Sequence, residues 1–153
     1  MSTVYLASYI GAGQIGNAMV RAWTRASESH CELVVDGCCM SSSVMDGGVR
    51  GKVIELKREN WIVEPVLWAP ADQVLAHFQD TQGQRYSWLD LIRSQMFNRA
   101  SDEDGAAFCS EWAAAALGLP NPTLYSPHTL RRFNAWANGQ LSAFIPQQHL
   151  STT

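Results

Sequence analysis

Ser29-His30-Cys31-Glu32-Leu33-Val34-Val35-Asp36-Gly37-Cys38-Cys39-Met40-Ser41-Ser42-Ser43 is the stretch on which the fold turns. Its first half ends in two β-branched residues and runs directly into Asp36-Gly37, a dipeptide that tolerates positive φ and closes hairpins. Residues 29–35 therefore predict a strand, and residues 38–43 predict the next one. Alternation puts His30 and Glu32 on a common face. Working outward, Thr3–Ile10 is β-branched and aromatic and stops at Gly11, so it reads as a buried strand. On the other side, strands are expected at Val49–Leu56, after the turn Asp46-Gly47-Gly48, and at Trp61–Leu67. Closely spaced strands separated by turns predict a hairpin-rich, antiparallel middle.

Helical periodicity flanks this sheet. Ile15, Met19, Val20 and Trp23 recur at the spacing of a helix with one buried face over residues 15–23. The second half is helical. Pro70–Gln79 places Val74, Leu75 and Phe78 together, and Trp88–Phe97 aligns Leu89, Ile92 and Met96. Ala106–Leu117 predicts a helix stopped by Gly118 and Pro120. Ser126-Pro127, as N-cap and first-turn proline, opens a last helix through Ala137, with residues 139–153 read as a loose tail. The class expected is α+β, one domain over residues 1–153, an antiparallel sheet packed against helices.

With 153 residues, 46% of them hydrophobic, the chain can bury roughly 70% of the surface its unfolded form exposes, so it needs neither disulfide nor metal to fold. The net charge of −3, with Lys and Arg scattered, excludes the basic face that a nucleic-acid partner requires. No apolar run approaches the ~20 residues of a membrane span, and no charged-then-apolar leader opens the chain. A protein made in the cytoplasm, without a signal peptide or a membrane partner, is expected. Cys31, Cys38, Cys39 and Cys109 lack the spacing of a secreted framework and read as free thiols.

Gly11-Ala12-Gly13-Gln14-Ile15-Gly16 matches GxGxxG between a strand and a helix, and Asp36 ends the following strand, the spacing of a dinucleotide fingerprint. Glycines would admit a pyrophosphate at a helix N-terminus and Asp36 would take the ribose hydroxyls. That fold needs repeated strand-helix-strand units in a parallel sheet, and the several strands after Asp36 are the wrong elements. The glycines also read simply as a strand-to-helix loop. No cofactor is expected.

Cys109 falls in the opening turn of the helix 106–117, where unpaired backbone N–H groups and the helix dipole favour a thiolate. A thiolate with an imidazolium beside it is a usable nucleophile at neutral pH. His30 is the base left by exclusion: His77 lies on a helix, His128 opens one, and His149 is in the tail. Glu32 is placed to orient the His30 ring, or is an exposed edge carboxylate. A buried, inert Cys109 and a hydrogen-bonded strand His30 are the plain structural alternatives. Zinc is disfavoured, because adjacent strand residues such as His30 and Cys31, or Cys38 and Cys39, point to opposite faces.

Taken in order, Tyr9 to Gly11, Trp23-Thr24-Arg25, Ser29 to Val34, Ser41-Ser42-Ser43, Asp46 to Arg50, Tyr86-Ser87-Trp88 and Phe108-Cys109-Ser110-Glu111 cover most of the chain. This order resembles the circularly permuted NlpC-like branch of the papain-like cysteine hydrolases, in its small phage or prophage type. In permuted members the histidine strand precedes the cysteine helix, as His30 precedes Cys109. The resemblance implies a papain-like fold with the nucleophile at a helix N-terminus and hydrolysis of peptide or amide bonds through a Cys109 thioester. Substrates of the family include peptidoglycan peptides, and related permuted enzymes act on acyl groups. The family's third polar residue sits on the strand after the histidine, where this chain has Ser41 and Ser42. Either Glu32 takes the orienting role, or Ser42 does so weakly, or activity is reduced. A module that keeps the scaffold without catalysis, for phage or host interaction, is the alternative.

Overall fold

The computed structural model describes residues 2–11, 27–43, 46–84 and 107–144. Five strands, β1 (Val4–Tyr9), β2 (His30–Val35), β3 (Cys38–Ser43), β4 (Gly48–Lys52) and β5 (Trp61–Val66), form one sheet in the order β4-β3-β2-β1-β5. Every neighbouring pair is antiparallel. Three helices, α1 (Ala71–Thr81), α2 (Ala107–Ala116) and α3 (Pro127–Phe144), pack with it as a mixed α+β fold. The β2-β3 hairpin closes as its turn chemistry requires, with Asp36 at φ 49° and Gly37 at φ 80° next to the pair Val35–Cys38.

Strand alternation divides the sheet into two faces. Val4, Leu6, Cys31, Leu33, Val35, Met40 and Val49 face the helices, meeting Val74 of α1, Cys109, Trp112, Ala113 and Ala116 of α2 and Leu130 of α3. Full burial of a side chain such as Leu6 or Leu33 stabilises the fold by about 2 kcal/mol. The small residues of α2 let its axis approach the strands closely, which is how Cys109 comes against β2. On the opposite face Ala7, Val34 and Cys39 are covered by Ile54, Leu56 and Trp61. Cys38 and Cys39 therefore serve different faces, and all four cysteines are free.

The helix ends follow local chemistry. Gly118, at φ 71°, donates its N–H to Ala115 O and Leu119 donates to Ala114 O, both at 2.9 Å, which satisfies the last carbonyls of α2. At the start of α3, Thr129 N–H donates to Ser126 Oγ at 3.2 Å and Ser126 N–H to Thr129 Oγ1 at 2.8 Å, a reciprocal cap. That helix does not stop near Ala137 as expected; it runs on through residues 139–144 of the expected tail. Asn138 explains the extension, because it donates to Pro65 O at 2.7 Å and accepts from Leu67 N–H at 3.1 Å, tying this part of α3 to β5.

One further expectation changes. The fourth strand ends at Lys52 rather than Leu56, since Ile54 and Leu56 lie over the second face of the sheet instead of extending the edge. The dinucleotide fingerprint does not form around Gly11 and Asp36. Because β1 and β2 are antiparallel, with Tyr9 opposite His30 and Tyr5 opposite Val34, Asp36 lies beyond the opposite end of the β1-β2 ladder from Gly11. Gly11 has a packing reason of its own: a Cβ there would stand 2.6 Å from both Asn60 Oδ1 and Tyr9 Oη. Gly13, Gly16, the helices expected at residues 15–23 and 88–97, Trp23, Trp88 and His149 lie outside the described residues. No described helix is long and apolar enough to cross a membrane.

Candidate active site

His30 opens β2 opposite Tyr9, and Glu32 follows on the same face, fully buried. The two side chains meet, His30 Nε2 lying 2.7 Å from Glu32 Oε1. Arg50 reaches the same carboxylate from β4: its register partner Ser41 is on β3, and its guanidinium spans that strand to donate to both Glu32 oxygens, at 2.6 Å to Oε1. Behind it, Arg50 Nε donates to Asp46 Oδ2 at 2.7 Å, and Lys52 Nζ donates to Asp46 at 2.8 and 3.0 Å. Burial works against ionisation of Glu32, but hydrogen bonds from Arg50 and His30 hold its carboxyl below the usual carboxylate range. An ionised carboxylate only accepts, so Nε2 carries the ring proton and Nδ1 is the nitrogen available to a thiol.

Cys109 arrives from the other side of β2, as the third residue of α2. The β2-β3 ladder ends at the pair Leu33–Met40, and beyond it Ser41 Oγ donates to Cys31 O at 2.8 Å. That parting of the strands leaves the Cys31 N–H to the sulfur of Cys109 instead of to the β3 ladder. The Cys109 thiol is drawn well below its ordinary range, first by a hydrogen bond from the Cys31 thiol, then by the charge of the His30 imidazole and its hydrogen bond; burial opposes both. Cys31, as the donor, is pushed well above the ordinary thiol range. His30 responds reciprocally. Burial would lower it, yet the charge on Cys109, the Cys109 hydrogen bond and Glu32 raise it from 6.5 to about 10. A thiolate-imidazolium pair is the arrangement these groups favour, and the first turn of a helix adds to it.

Of the residues singled out from sequence, Cys109, His30 and Glu32 come together, and Ser42 does not join them at the ring. Ser42 is opposite the core residue Val49, on the helix-facing side, whereas His30, Glu32 and Arg50 occupy the other face. Trp61 stands edge-on to His30 with ring centroids 6.3 Å apart and to Tyr9 at 5.0 Å. Trp68 packs instead on Phe133 and donates to Asn134 Oδ1 at 2.9 Å. His77 packs at a tilt against Trp112, with ring centroids 5.6 Å apart. His128 has a partner not foreseen: its Nδ1 is 2.8 Å from the buried Glu28, which also accepts from Ser27 and Arg131. Those bonds overcome burial and hold Glu28 at about 2.

Cys31 and Arg50 were missed by sequence reading. Cys31 was weighed only as a zinc ligand, disfavoured because it faces away from His30, and the signal that brings it to Cys109 is where the β2-β3 ladder ends. For Arg50 the signal was its place two strands across, reached through the hairpin register Ser41–Arg50. Among the described residues no group of three or more metal-ligating side chains converges. No protein-family model, curated protein or solved structure matches this chain.

Proposed function

We propose that the protein is a thiol hydrolase of peptide or amide bonds, with Cys109 as nucleophile, His30 as general base and Glu32 as the group that orients the imidazole. The observation that carries this reading is the contact of the Cys109 thiol with an imidazole whose far nitrogen is bonded to a buried carboxylate. The sulfur attacks a carbonyl carbon, the imidazolium protonates the departing amine, and a thioester forms. The neutral imidazole then removes a proton from water, which attacks the thioester and releases the acid. The chain order, a histidine strand ahead of a cysteine helix beside an antiparallel sheet, supports the finer reading of a circularly permuted, NlpC-like papain fold. That resemblance is also what supports cell-wall peptides as the substrate class and a phage or prophage setting.

The test is site-resolved alkylation. Limiting iodoacetamide between pH 5 and 8, followed by peptide mapping, should modify Cys109 faster than Cys38 or Cys39 near neutral pH, and His30→Ala should remove the difference. Equal rates for the three thiols would overturn the hydrolase and leave a non-catalytic interaction module on this scaffold.

A further inference from the structure

The buried serines near the site are not equally provided for. Ser41 Oγ donates to Cys31 O, Ser110 Oγ to Tyr125 O, and Ser126 Oγ bonds to Thr129. Ser8 Oγ and Ser29 Oγ, in residues 0% and 4% exposed, find no partner among the described residues. Native interiors seldom leave a hydroxyl in this condition, and each instance calls for a reason. Both lie at one place. Ser8 on β1 is the register partner of Cys31, on the same face with Cβ atoms about 5 Å apart. Ser29, whose N–H donates to Tyr9 O at 3.0 Å, lies just before β2 at the same end of the β1-β2 ladder. Cys31 is in turn the residue whose thiol and backbone both bond to Cys109. Two unspent O–H donors therefore lie at the end of the β1-β2 ladder where Cys31 meets the sulfur proposed as nucleophile. Glu64 Oε2 is also unpartnered, but a carboxylate only accepts, and the other Glu64 oxygen is bonded by Arg131.

Resting on the hydrolase reading above, we propose that Ser8 and Ser29 are catalytic residues whose hydroxyls donate hydrogen bonds to the carbonyl oxygen of the scissile acyl group. As the sulfur-carbon bond forms, the carbonyl π pair moves onto that oxygen, and the two O–H groups stabilise the resulting anion without transferring a proton. When the tetrahedral species collapses, the pair returns to C=O, the bond to the leaving group breaks and the imidazolium supplies the proton. Donors already buried and held by the β1-β2 ladder need little reorganisation at that moment. The ligand recognised is thus an uncharged acyl carbonyl whose oxygen becomes anionic.

p-Nitrophenyl acetate, which reports thiol acylation by a burst of nitrophenolate, separates this proposal from the one beneath it. The burst should vanish in Cys109→Ala. Ser8→Ala and Ser29→Ala should each slow it by about tenfold or more. Neither should change the rate at which iodoacetamide modifies Cys109, because that substitution develops no oxyanion. Ser8→Thr, which keeps a hydroxyl, should recover part of the burst, and should Ser8→Ala fail to fold, Ser29→Ala reads the same quantity. A Cys109-dependent burst of wild-type rate in both alanine variants overturns the assignment of the serines alone. Equal slowing of burst and alkylation also overturns it, by showing a purely structural effect. A wild-type protein with no burst, or a burst that survives Cys109→Ala, removes the hydrolase and the serine donors together.

Discussion

Removing the sulfur of Cys109 should discharge His30. The rise of the imidazole from 6.5 to about 10 corresponds to about 5 kcal/mol in favour of the imidazolium, against a burial that works the other way. The charge on Cys109 leads the opposing causes and Glu32 follows. In Cys109→Ala the carboxylate remains, so the ring should titrate lower by a unit or more, about 1.4 kcal/mol for each unit lost. Glu32→Gln should also lower it, by removing the other anion. Imidazole carbon shifts followed by NMR between pH 5 and 11 read this directly. Wild-type His30 should remain protonated through neutral pH and titrate near 10. A wild-type ring titrating at 6.5, or a Cys109→Ala ring titrating where the wild type does, would refute the pair.

The same groups shape stability against pH. Near neutrality the unfolded chain carries its proton on Cys109 and the folded one on His30, so folding moves a proton and takes up none. The contribution of the pair is accordingly flat between the unfolded values, 6.5 for the imidazole and 9.0 for the thiol. Below 6.5 the unfolded imidazole gains a proton while the folded thiolate has lost one, so the contribution falls as pH falls. Above 9.0 the unfolded state has lost both protons, and the contribution fades as pH rises through about 10.

Glu28→Gln should lower stability at pH 7 by about 3 kcal/mol, the equivalent of a carboxyl held at about 2 instead of 4.5. Because the folded value is depressed, that difference is complete above 4.5 and should shrink as pH falls toward 2 in urea unfolding curves; a gap constant from pH 7 to 2 would contradict it. Arg50→Met strands the buried Glu32 carboxylate and should cost about 3–5 kcal/mol by chemical denaturation, with Arg50→Lys losing less. Gly118→Ala should cost about 1 kcal/mol or more in thermal melts. Its φ of 71° disfavours a side chain, and a Cβ would stand 2.8 Å from Gln73 Nε2, which itself donates to Ala116 O.

Local chemistry made the strands and helix ends legible. Asp36-Gly37 gave the hairpin, Gly118 the end of α2 and Ser126-Pro127 the start of α3. Alternation also gave the His30–Glu32 contact, because two residues of one strand need no knowledge of the rest of the fold. What depended on distant partners was not legible. Ile54 and Leu56 alternate like strand residues but cover a sheet face, so periodicity alone lengthened β4. Residues 139–153 read as a tail, yet nothing crowds Gly139 and Asn138 anchors the surrounding turn to β5. Cys31 could not be joined to Cys109 until the point where β3 leaves β2 was known.

Arg50 shows why the site can hold a buried carboxylate at all. From the interior outward, the thiolate of Cys109, the imidazolium of His30, Glu32, Arg50, Asp46 and Lys52 alternate in charge, and each is bonded to the next. Side-chain exposure rises along the outer part, from 1% at Glu32 through 17% at Arg50 and 31% at Asp46 to 44% at Lys52. The desolvation that would neutralise Glu32 is offset by a cation whose own partner is nearer to water, and the last ammonium is largely hydrated. Losses should therefore decline outward: Lys52→Met should cost no more than about 1 kcal/mol and leave the His30 titration where it was. A Lys52→Met loss as large as that of Arg50→Met would mean that the outer charges carry the carboxylate, and the inner pair could then no longer be treated as supported by Arg50.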